Sequence, residues 1–142
     1  MSKGDTFEND LVRLIFNGTA IANIADNAAS SPLTNLHLSL HTGDVGEGGS
    51  QTTNEATYTG YGRVAVARTT GGFTITNNTV ALVANADFPA CTGGSNTITH
   101  FAIGTAASGA GKVLYKGSLT PSISVSSGVT PRINSGTIVT ED

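Results

Sequence analysis

Three histidines and three loop carboxylates are the residues of this chain whose types and spacing could do chemistry. His37 and His41 lie four apart in LHLSLHT. That segment reads as a strand, because Leu36, Leu38 and Leu40 alternate with His37, Ser39 and His41. At a rise of ~3.3 Å per residue the two imidazoles share a face but stand about 13 Å apart, too far to hold one metal ion. His100 lies elsewhere in the chain and could approach either. The expected role of all three is hydrogen bonding at surface or half-buried positions. Asp44, Glu47 and Glu55, in GDVGEGGSQTTNEATYTGYG, could offer oxygen ligands to a hard cation. Their spacing matches no calcium loop, so they read as solvated carboxylates or as ion-pair partners at a subunit contact.

The remaining candidates are weaker. Ser, His and Asp are all present, but no Gly-x-Ser-x-Gly follows a strand and opens a helix. Gly104 to Gly109 has the Gly-x-x-x-x-Gly spacing of a phosphate loop. Lys112 does not follow it directly, however, and no helical pattern comes next. The single cysteine, Cys91, excludes an intrachain disulfide and reads as a small apolar filler beside Pro89 and Ala90. No cofactor or metal is expected, and the chain reads as non-enzymatic. Tyr58 and Tyr61 flank Gly60 ahead of Arg63, and tyrosine offers large contact area with a polar tip. Arg63 and Arg68 could pair with carboxylates of a neighbouring subunit. Asp44, Glu47, Glu55, Tyr58, Tyr61 and Arg63 are therefore the candidate subunit-contact residues.

These residues sit in or beside a connection of about 20 residues, longer than a compact domain uses without a reason. Its glycines, Gly43, Gly46, Gly48 and Gly49, permit backbone angles that other residues resist. Such a loop is expected to bind something or to be ordered by a neighbouring subunit. Long Gly-rich connections tolerate shortening, so removing residues 44–56 is expected to leave the fold intact. On the far side RVAVAR places Val64 and Val66 on one strand face.

Upstream, Asp5 to Asn17 reads as one helix, with Asp5 as cap, Glu8 completing a capping box and Gly18 as stop. Phe7, Leu11, Leu14 and Ile15 form its apolar stripe, which Val12 and Phe16 widen. The stripe is expected to pack on its own sheet, or else on a partner subunit. Ile21 and Ile24 suggest a short second helical turn. Downstream, Phe73–Thr76 and Val80–Val83 read as a hairpin about Asn77-Asn78. Residues 97–103 read as a central strand, apolar on both faces. Residues 112–118 and a stretch around Ile123 and Val125 read as two further strands, and Ile133 with Ile138-Val139 as the last.

Seven to nine short strands separated by Gly, Asn, Ser and Pro clusters predict an all-β, jelly-roll-like β-sandwich with one N-terminal α-helix. The sandwich spans about residues 34–140 and the helix 5–17, in a single domain over 1–142. The 142 residues include 18 Gly and no Trp, 12% are charged, and the formal net charge is −3. That balance implies no affinity for nucleic acid or an acidic membrane. No apolar run reaches the ~18 residues that span a bilayer, and the polar N-terminus lacks a secretion signal. The protein is expected to stay in the cytoplasm or enter a particle assembled there.

The run LHTGDVGEGGSQTTNEATYTGYGRVAVAR, followed by FPA (88–90), TGGS (92–95) and THFAIGTAASGAGK (99–112), resembles a family of small proteins of tailed double-stranded DNA bacteriophages. The resemblance covers nearly the whole chain. Members are often labelled phage tail fibre proteins, and others are capsid decoration, or cement, proteins with a jelly-roll fold. The resemblance implies a structural virion protein on the outer surface of the head. Its partners would be the major capsid protein and further copies of itself, as a homodimer rather than a homotrimer. The alternative it leaves is a tail- or head-fibre component that binds the host surface.

Overall fold

The computed structural model describes residues 5–21 and 32–141. Strands dominate: three antiparallel sheets and one N-terminal helix, the expected all-β class. In chain order the elements are α1 (Asp5–Asn17), β1 (Asn35–His41), β2 (Val64–Ala67), β3 (Phe73–Thr76), β4 (Thr79–Leu82), β5 (Ala86–Asp87), β6 (Asn96–Gly104), β7 (Val113–Val125), β8 (Arg132–Ile133) and β9 (Ile138–Thr140). The sheets run β2-β1-β6-β7, β3-β4-β9 and β5-β8. The chain divides into two compact units. One draws on Met1–Asn35, Val66–Asn85 and Asn134–Asp142, the other on Leu36–Ala65 and Ala86–Ile133.

In the first unit, β3 and β4 form the expected hairpin, with Thr76 opposite Thr79. Asn77 takes the left-handed turn position at φ 54°, which asparagine tolerates better than most residues. β9 adds to β4, Val139 opposite Val80. The helix has the expected ends, and Gly18 leaves it at φ 66°. The Asp5 side chain and the helical turn near Ile24 lie outside what the structure describes. Ile21 itself is buried and makes a β-bridge.

The buried face of the helix differs from the expected stripe. Val12 and Phe16 are fully buried, whereas Phe7 is 41% exposed and Leu11, Leu14 and Ile15 are only half-buried. At about 100° per residue the two faces are roughly opposite. Two contacts fix this orientation. Phe16 meets Phe73 edge to face, ring centres 4.9 Å apart. Arg68 donates to the carbonyls of Leu14 and Ile15, capping a helix whose last turn carries no basic residue of its own. Arg68 is thus occupied within its own chain.

In the second unit β6 is central, with β1 on one side and β7 on the other. Ile98, Phe101, Ala102 and Ile103 are all buried, so both faces are covered as expected. The strands expected separately on either side of Pro121 are one strand, β7. Its register against β6 passes from Ile98↔Ile123 to His100↔Ser118, leaving residues 119–122 bulged. Proline has no N–H for the ladder, and a bulge on an edge strand accommodates it. The expected last strand is two. β8 pairs with β5, whereas β9 belongs to the first unit. A turn separates them, closed by Thr137 N–H to the Asn134 carbonyl, with Gly136 at φ 81°.

Phe16→Ala should cost about 3–5 kcal/mol, because it empties a closed site. Phe7→Ser should fall within about 0.5 kcal/mol of wild type, as an exposed position does. Urea unfolding of the two variants checks the assignment, and equal losses would refute it.

Candidate functional site

The long connection, residues 42–62, is folded onto its own unit rather than left open. Its first residue and residues 54–56 meet beside β1. Thr42 N–H donates to the Asn54 carbonyl at 2.8 Å, Ala56 N–H to the Leu40 carbonyl at 2.9 Å, and Glu55 bridges to His41. Asn54 makes the return possible at φ 53° and donates its amide to the Asp44 carbonyl. Near its start Asp44 Oδ1 accepts from Gly46 N–H, a local turn that Asp forms readily.

Gln51 is the plug of this loop and is fully buried. Its backbone N–H reaches the Gly111 carbonyl at 2.9 Å, and its side-chain oxygen accepts from Ala106 N–H at 2.9 Å. The amide also donates, at 3.4 Å, to the His37 carbonyl. Room for the side chain comes from two glycines. A Cβ on Gly104 would stand 2.2 Å from Gln51 Cδ, and one on Gly111 2.1 Å from Gln51 Oε1.

The ionic centre joins Glu55 to Arg63. The guanidinium grips the carboxylate through two bonds, 2.7 and 2.8 Å, and donates to the carbonyls of Ala106 (2.9 Å) and Gly109 (2.8 Å). The Arg63 side chain is 2% exposed and that of Glu55 16%. The Glu55 bonds hold the Arg63 pKa above its ordinary value, ahead of the opposing effect of burial. Tyr61 donates to Glu55 Oε1 at 3.0 Å and accepts from Leu40 N–H at 3.1 Å. Burial first of all raises its pKa. Tyr58 donates to the Pro89 carbonyl, and burial pushes its pKa up to about 12. Tyr61 lies edge-on to Tyr58 and stacks on Phe88.

Among the six candidate contact residues, Glu55, Tyr58, Tyr61 and Arg63 are therefore engaged inside their own unit. Asp44 and Glu47 face outward, their side chains 56% and 96% exposed, and share Lys116 at 3.0 and 3.2 Å. The bond from Gly46 N–H, then Lys116, holds the Asp44 pKa below its ordinary value.

The histidines do not behave alike. His41 is fully buried, contrary to the surface or half-buried position expected, because residues 50–55 close over that strand face. Its Nδ1 lies 2.9 Å from the Thr53 carbonyl and its Nε2 2.8 Å from Ser39 Oγ. A carbonyl only accepts, so Nδ1 carries the proton and Nε2 accepts from the Ser39 hydroxyl. His100 is its register partner across β1 and β6, and His37 stays half-buried. Among the described residues no group of three or more His, Cys, Asp or Glu could hold a metal ion. Cys91 is buried and donates to the Gly93 carbonyl, close to the expected filler role.

Sequence reasoning missed Gln51, Lys116 and Asn96. The Asn96 side-chain oxygen accepts from the N–H groups of both Thr57 and Tyr58. None of the three belongs to a periodic pattern. For Gln51 the only signal was two glycines, at 104 and 111, without an evident turn to explain both. The expectation that removing residues 44–56 leaves the fold intact does not fit the structure. That deletion would take Val45, Gln51 and Ala56 out of the core and leave Arg63 without its carboxylate.

The β-scaffold commits its buried ion pair and its plugging glutamine to holding one long loop in place. The family model described as Podophage GP4 fiber I protein gp80 matches residues 3–141, and the chain belongs to that family. It is a structural protein of the bacteriophage virion. No curated protein matches the chain. Among the described residues no helix is long and apolar enough to cross a membrane.

Glu55→Ala should cost about 3–5 kcal/mol, since it strands a buried guanidinium, and Arg63→Met in the same chain should recover part of that loss. Gly111→Ala should cost about 1–3 kcal/mol, and less when Gln51 is already alanine. Denaturant titration of the single and double variants measures both couplings. Additive losses in either cycle would mean that the paired residues do not act on each other.

Proposed function

We propose that this chain decorates the outer surface of the phage head, attached to the major capsid protein and stabilising the lattice. The observation that carries the proposal is the fixed shape of residues 42–62. A surface already ordered before docking loses little conformational freedom on binding. Held by Gln51, Glu55 and Arg63, the loop presents Asp44 and Glu47 outward in one arrangement. Many copies bound to the assembled shell, and not to free capsid subunits, stabilise the shell by mass action. The chain acts as a closed homo-oligomer, a dimer rather than a trimer, since symmetric shells present symmetric seats.

The family description favours a second reading, a fibre component. A fibre tip that grips host polysaccharide usually stacks sugars on exposed aromatic rings. Here Tyr58 and Phe88 are buried, Tyr61 is half-buried between them, and the chain has no Trp; among the described residues Phe7 on the helix is the one well-exposed ring. That supports a lattice-bound or shaft position over a sugar-gripping tip.

Copy number and location separate the two. Imaging of purified particles, with the chain's density located, should show hundreds of copies spread over the head. A handful of copies confined to appendages would overturn decoration and leave the fibre reading.

A further inference from the structure

We propose that residues 42–62 form an acid-released strap, closed on the sheet while His41 is neutral and opened by protonation of that imidazole. The geometry makes the neutral ring part of the closure. His41 is fully buried under residues 50–55, and its two nitrogens bond to different places: Nδ1 to the Thr53 carbonyl on the strap, Nε2 to Ser39 Oγ on β1. Ser39 is itself fully buried, and among the described residues its other acceptor is the Ala102 carbonyl at 3.5 Å. A protonated ring would keep the Thr53 bond. It would have to turn the Ser39 hydroxyl onto that long contact, and it would place a charge at a fully buried site.

The charged and titratable groups around the ring come from every neighbouring element. His100 faces it from β6, Glu55 lies on the strap itself and Arg63 just past its end, with Tyr61 bonded to Glu55. Burial lowers the His41 pKa, opposed by the Thr53 bond and the Glu55 charge, while Arg63 and His100 lower it further. His37 shifts the same way through partial burial and Arg63, but it makes no bond to the strap through its ring. The sign follows. A folded pKa below the free value means that the open state binds more protons as pH falls, so closure is strongest above about pH 6.5 and weakens below it. Opening would withdraw Asp44 and Glu47 from Lys116 and unseat Gln51. The device does not depend on whether the chain sits on a head or a fibre.

Amide hydrogen exchange on the whole protein tests it. The reporters are the N–H groups of Thr42, Gln51 and Ala56, which bond across the strap. After correction for intrinsic rates, their exchange should rise from pH 7.5 to pH 5.5 toward a ceiling of about 10-fold for one proton, in a window above the ordinary carboxylate range. The β3–β4 amides should not follow. H41Q should abolish the pH dependence, and H37Q and H100Q should retain it. Because H41Q could disturb folding, the wild-type imidazole is also titrated by NMR. A bare Nε2 at neutral pH and a midpoint below 6.5 are expected. Strap exchange that ignores pH, dependence that vanishes with His100 instead, or a His41 midpoint at or above its free value would each overturn the proposal.

Discussion

The bidentate pair between Glu55 and Arg63 is the constraint on which the second unit depends. Neither partner could stay where it is without the other. A guanidinium with 2% of its side chain exposed needs its charge answered nearby, and its remaining hydrogens need acceptors. The structure supplies both, with one carboxylate and the carbonyls of Ala106 and Gly109. The consequence reaches well beyond the pair. Glu55 can meet Arg63 only if the chain returns to the end of β1 after a long excursion, and the carbonyls can accept only if residues 106–109 curl toward it. One ion pair thus fixes the path of two connections.

The same logic explains why the loop is rich in glycine yet ordered. Flexibility in a loop comes from conformations that nothing selects against. Here the selection is made by buried groups that must be satisfied: Gln51 by two backbone partners, Glu55 by Arg63 and Tyr61, Asn54 by the Asp44 carbonyl. The glycines at 104 and 111 serve a different end. They are small so that Gln51 can fit, not mobile so that something can move.

This is also where legibility in the sequence ends. Elements carried by periodicity were readable: the helix from Asp5 to Asn17, the Asn77-Asn78 hairpin, the alternating leucines of β1 and the two-sided apolar character of β6. Periodicity shows that a helix has an apolar stripe, but not which of two stripes is buried. Val12 and Phe16 won over Phe7 and Leu11 because Phe73 and Arg68 lie on their side, more than 50 residues away in the chain. Spacing likewise could not show that β7 continues past Pro121, or that β8 and β9 belong to different sheets, since both facts concern pairing partners. The site suffered most. Its residues were picked correctly as unusual, but whether Arg63 pairs within the chain or across an interface is settled by where Glu55 lands. Glutamine and asparagine carry no pattern at all until their partners are known.

A chain with 12% charged residues that buries or pairs several of them leaves an outer surface dominated by Thr, Ser, Asn and Gly. Such a surface exerts little long-range steering on an approaching partner. Recognition must then come from shape and short hydrogen bonds, which reward a surface held rigid in advance. Rigid β-strands alone would offer flat, repetitive faces with unpaired edges. On the long edge of β7 those edges are blunted by a bulge and by Lys116. The fixed loop supplies what the sheets lack, an irregular relief of defined shape, and its buried charges are what keep that relief in place.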